Sequence, residues 1–98
     1  MVLKFEWDDK KNIINQMKHG VSFEEATRVF RDPKKLETYD MEHSYLEERW
    51  MTVGLSGLTV LSVSFMERDG SVRIFSARKA TKIEEREYFY GYSTFYTR

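Results

Sequence analysis

The chain has 98 residues, 41% of them hydrophobic and 33% charged, which suits one small domain with one core. It has no cysteine, which excludes disulfides, thiolate metal sites and a cysteine nucleophile. Sixteen basic residues balance sixteen acidic ones, so no global field steers the protein to nucleic acid and any polyanion site must be a local patch.

No run approaches the roughly 18 apolar residues of a membrane span. The opening MVLKFEWDDK has acidic residues where a signal peptide would be apolar. The expectation is a cytoplasmic protein with no membrane partner.

In chain order, Leu3 to Glu6 reads as a short strand. A helix over about Asp9 to Lys18 follows, with Ile13, Ile14 and Met17 on one side and Gly20 as its left-handed cap. Ser22 to Glu25 is a capping box, and Phe23, Ala26, Thr27 and Phe30 recur at helical spacing until Asp32-Pro33 ends the second helix. Lys35 to Tyr39 suits an edge strand, and Asp40 to Glu47 an acidic loop. Three strands, Glu48 to Leu55, Thr59 to Met66 and Ser71 to Ala77, are broken at Ser56-Gly57 and Asp69-Gly70, which predicts an antiparallel meander. A second capping box at Thr81 to Glu84 opens a final helix expected to reach about Phe95.

A two-residue turn at Asp69-Gly70 pairs Met66 with Arg73, Ser64 with Phe75 and Ser62 with Ala77. Leu61, Val63, Phe65, Val72 and Ile74 then share the core face. For the preceding hairpin a three-residue loop is expected, because it sends Met51, Val53 and Leu55 to the core. Glu48, Trp50 and Thr52 then join Arg73 and Phe75 on the second face, with Arg49 at the edge of the core face. Arg78, five residues beyond Arg73, would point the other way on a straight strand, but at the strand end, where the chain turns toward Thr81, its direction is open and it is assigned to the rim of the second face.

The motifs FEWDDKK, Asn15, KHGVSFEEA, VFRDP, EERW and RIFSARKA, followed by Glu and Tyr in the last helix, occur in an order that resembles the BrnT family. That family comprises ribonuclease toxins of bacterial type II toxin-antitoxin modules. The resemblance implies an α+β, RelE-like fold, with two N-terminal helices packed on a twisted, mainly antiparallel sheet and a C-terminal helix. It also implies a BrnA-like ribbon-helix-helix antitoxin as partner, RNA as substrate, and operator DNA reached only through the antitoxin. The family's basic and polar positions fall on Lys18, His19, Glu48, Arg49, Arg73 and Arg78.

Metal-free RNA cleavage needs a base for the 2'-hydroxyl, an acid for the leaving 5'-oxygen and a charge stabiliser for the phosphorane. His19 or Glu48 suits proton transfer, and Arg73 and Arg78 suit the phosphate through their guanidinium forks. Lys18, Arg49, Trp50, Phe75 and Tyr88 are candidate RNA contacts, the aromatics as platforms for unpaired bases. Each has a plainer reading. His19 also suits a helix dipole, Glu48 a surface ion pair worth less than about 1 kcal/mol, and the aromatics a surface under the last helix. No cofactor motif or metal-ligand spacing is present. The rival to an endoribonuclease is a non-catalytic toxin-like module that binds the antitoxin and modulates repression.

Overall fold

Asp8 opens the first helix, its carboxylate accepting from the Lys10 and Lys11 amides, and Gly20 closes it at φ 69°. In the computed structural model, which describes residues 3–45 and 47–91, this helix is α1, Asp9–His19. The Ser22 capping box starts α2, Phe23–Thr27, and a 3₁₀ turn over Arg28–Arg31 carries the chain to Asp32. The Thr81 box starts α3, Lys82–Tyr90, which Gly91 ends at φ 80°. Residues 92–98, onto which this helix was expected to continue, lie outside the described residues.

Five strands form one mixed sheet: β1 (Lys4–Glu6), β2 (Leu36–Tyr39), β3 (Trp50–Ser56), β4 (Thr59–Arg68) and β5 (Ser71–Lys79). Their order is β1-β5-β4-β3-β2, with β1 parallel to β5 and every other pair antiparallel. Val21, Phe23, Ala26, Val29 and Phe30 pack against Leu61, Val63, Phe65, Val72, Ile74 and Ala77. The core face of β4, and of β5 as far as Ile74, is therefore the expected one, whereas Ala77 was expected on the second face. α3 contacts β3, and α1 contacts β5.

Three features differ from the sequence reading. First, α1 faces the other way: Ile13, Ile14 and Met17 are 59%, 50% and 81% exposed, and the buried residues are Asn12 and Asn15. Asn15 donates to the Ala77 and Val21 carbonyls at 2.8 Å and accepts from the Ala77 amide at 3.1 Å. Asn12 accepts from the Phe23 amide and donates to Glu24. β1 pairs with β5 only as far as Arg73, so Asn15 satisfies the sheet edge that β1 leaves open.

Second, the β3–β4 loop has two residues, Gly57 and Leu58, with Ser56 opposite Thr59 and Gly57 at φ 62°. This one-residue slip flips β3. Thr52, Gly54 and Ser56 face the core, while Met51, Val53 and Leu55 pair with Ser64, Ser62 and Val60 on the second face. The reason is space: a Cβ on Gly54 would meet Val29 Cγ1 at 3.0 Å and Asp32 Oδ2 at 3.2 Å. Small residues there let the 3₁₀ turn approach the strand.

Third, β5 carries a bulge. Asp69 and Gly70, both at positive φ, make the expected tight turn, and Met66 pairs with Arg73 as predicted. Beyond Phe65–Ile74 the register shifts, so Ser64 pairs with Ser76 and Ser62 with Arg78. Phe75 is the extra residue. Alternation restarts after it, so Ala77 returns to the core and Arg78 joins Arg73 on the second face.

Candidate nucleic-acid interface

The second face gathers two arginines of β5 and one from the loop before β3. Arg49 precedes β3, held by its amide donating to Ser44 Oγ at 3.0 Å and its carbonyl accepting from the Asp40 amide. Its guanidinium lies over the Phe75 ring, Cζ 4.0 Å from the centroid, and Nη2 reaches Glu47 at 3.2 Å. Its Nε is buried without a partner among the described residues. Arg49 thus stands on the second face rather than at the edge of the core face, because β3 is flipped.

Arg73 makes a long 3.7 Å ion pair with Glu6, its side chain partly exposed and that of Glu6 more so. It lines a cavity of about 310 Å³ with Glu6, Glu47, Met66, Arg68 and Ser71. Arg78, on the same face, is engaged by α3: its guanidinium donates to both Glu84 oxygens, at 2.8 and 3.1 Å. Partial burial pushes the Glu84 carboxyl up, but this fork and the Thr81 amide outweigh it and leave it below its ordinary value. The same hydrogen bonds, more than the opposing burial, raise Arg78. The Ser62 hydroxyl, across from Arg78 on β4, is buried with no hydrogen-bond partner among the described residues.

The other expected site residues separate. Lys18 and His19, both exposed, border a shallow groove with Lys11, Ile14, Phe75 and Ser76, so they approach Phe75 from the α1 side. Trp50 is on the core side, packed against the core and edge-on to Tyr39 at 5.3 Å, not on the second face. Glu48 is exposed and precedes β3; Glu47, one residue earlier, is the carboxylate that meets Arg49 and lines the cavity with Arg73. Tyr88 is not free: its hydroxyl donates to Asp32 Oδ2. Desolvation first, and that hydrogen bond second, push the phenol up to about 12.

Sequence reasoning missed Glu47, Arg68 and Glu6 as members of this cluster. Arg68 was legible, because the Asp69-Gly70 turn fixes its pairing with Ser71. Glu47 was not, because its position depends on the path of the preceding loop.

A cationic sheet face with an aromatic ring and a carboxylate carries groups that can hold phosphates and stack an unpaired base. The family model for the ribonuclease toxin, BrnT, of type II toxin-antitoxin systems matches residues 7–84. The chain belongs to that family. It is also similar to the 1.1 Å crystal structure of the Brucella abortus ribonuclease toxin, BrnT, with a TM-score of 0.62 and 24% sequence identity over 83% of this chain and 100% of that one. That likeness bears on the α+β fold. No curated protein matches the chain. Among the described residues no helix is long and apolar enough to cross a membrane.

Proposed function

We propose that this chain is the growth-arresting component of its toxin-antitoxin module, a cytoplasmic endoribonuclease of RelE-like type that needs no metal ion. In this reading a BrnA-like antitoxin with a ribbon-helix-helix part neutralises it and carries it to operator DNA. The observation that carries the reading is the placement of Arg49, Arg73 and Arg78 on one sheet face, with Arg49 stacked on Phe75.

Arg73 takes the scissile phosphate, since its pair with Glu6 is long and solvent-exposed and a phosphate oxygen competes well for it. Phe75 stacks a neighbouring base and holds the Arg49 plane, which stabilises the charge of the phosphorane. Glu47 accepts the 2'-hydroxyl proton; the 2'-oxygen attacks phosphorus, the bond to the 5'-oxygen breaks, and a 2',3'-cyclic phosphate and a 5'-hydroxyl form once that oxygen gains a proton. His19, beyond Phe75, is the candidate donor, and Lys18 and Arg78 hold flanking phosphates. Glu48, one residue from Glu47, is the control carboxylate.

The test is cleavage of labelled RNA by the purified chain in excess EDTA. Arg73→Ala and Arg49→Ala are expected to slow it by about 100-fold or more with the fold intact by circular dichroism. Glu47→Gln is expected to cost more than Glu48→Gln; the reverse order assigns the base to Glu48. The Arg78–Glu84 fork favours one other reading, a non-catalytic module that engages the antitoxin and modulates repression. A parent chain that leaves RNA intact and arrests no growth, yet binds its antitoxin, selects that reading.

A further inference from the structure

An isolated helix on a sheet normally turns its apolar stripe inward. α1 does the opposite, and at no cost in unpaired polar groups, because Asn12 and Asn15 find full partners on the Val21–Glu24 segment and on the β5 edge. Ile13 and Met17, one turn apart, and Ile14 beside them are left facing solvent. Apart from Asp8 and Asp9 at the helix start, the charged residues of α1 are Lys10, Lys11 and Lys18, all exposed. The groove along α1 also reaches Phe75, the residue on which Arg49 is stacked.

From this we infer that the outward face of α1 is the docking surface for an acidic amphipathic segment of the antitoxin, an assignment that rests on the toxin reading above. Aliphatic anchors fill the stripe, carboxylates meet the lysine rim, and the segment's end reaches the groove at Phe75, where it obstructs RNA access to the arginine face. A second copy of the chain is a poor occupant, because a two-fold axis on α1 brings lysine rim against lysine rim. RNA is a poor occupant of the stripe itself, because two isoleucines and a methionine offer a nucleotide neither charge nor a ring to stack on.

The experiment pairs Ile13→Glu with Met17→Glu in one variant, both sites being exposed and glutamate being a good helix former. Binding to the antitoxin encoded in the same operon is measured by calorimetry at two salt concentrations. Circular dichroism, RNA cleavage and growth arrest are measured alongside. The expected result is a fold, cleavage rate and growth arrest like the parent's, with antitoxin affinity reduced at least about 100-fold and growth no longer rescued by antitoxin. Parent affinity is also expected to fall as salt rises. Variant affinity within about threefold of the parent's overturns the surface assignment. So does a parent dimer that the variant dissolves, or loss of RNA binding with antitoxin binding intact. If the parent neither arrests growth nor binds that antitoxin, the toxin reading itself fails, a result distinct from a variant that binds normally.

Discussion

Asn15 satisfies three backbone groups from two segments, so its replacement exposes how a polar residue can hold a helix to a sheet edge. Asn15→Leu is expected to cost about 2–4 kcal/mol in urea denaturation, because buried partners stay behind unpaired; a cost below about 1 kcal/mol would mean that the Ala77 edge finds other partners. Gly54→Ala is expected to destabilise by about 1–3 kcal/mol, since its Cβ lands 3.0 Å from Val29 Cγ1 in a region with little slack. The caps at Ser22 and Thr81 and the left-handed Gly20 were legible because each is decided within a few residues of chain. Asn15 was not, because its partner Ala77 is 62 positions away. The apolar spacing of Ile13, Ile14 and Met17 marks one side of a helix but does not say which side turns inward.

At the level of elements, the polar contacts that tie α3 to the rest of the fold include Arg78–Glu84 and Tyr88–Asp32. For Asp32, burial is the largest single influence and pushes the carboxyl up, but hydrogen bonds from Tyr88, Leu55 and Lys34 together hold it below its ordinary value. Both Asp32 and Glu84 therefore have lowered folded-state values. Their contributions are complete above the unfolded carboxyl range, near about pH 4, and are lost as pH falls through the folded values. Tyr88 runs the other way: its contribution is complete below pH 10 and lost as pH rises from 10 toward about 12. Amide exchange in α3 is accordingly expected to speed up, relative to β4, at both extremes of pH, and Tyr88→Phe should abolish the alkaline arm. The β4–β5 pairing was legible near its turn because Asp-Gly fixes the register there. The β3 register was misread because the count of Met51, Val53 and Leu55 outweighed the need for small residues beneath the 3₁₀ turn.

For the molecule as a whole, zero net charge hides segregation: α1 carries lysines around an apolar stripe, and the second sheet face carries arginines. RNA affinity is therefore expected to fall with salt despite the neutral total, with a slope set by the few phosphates held, and Arg73→Ala should flatten that slope by about one contact. An affinity independent of salt would count against the arginine face. The α+β class and the family motifs within residues 7–84 were legible, whereas the grouping of the site was legible only in part: Arg73 and Phe75 were placed on the second face, and Glu47 was not singled out as a member of the cluster.

The extra residue in β5 also sets a rule for how this segment can change over time. Between Arg73 and Arg78 the strand behaves like a reading frame with one spare position: substitutions leave every later side chain on its side, whereas an added residue exchanges inside for outside from that point to Lys79. A deletion at Phe75 would only remove the bulge, leaving Ala77 inside and Arg78 outside, at the loss of the ring on which Arg49 is stacked. Homologous chains should therefore vary in composition across these positions without gaining residues, and insertions should collect instead at the Gly57-Leu58 and Asp69-Gly70 tips.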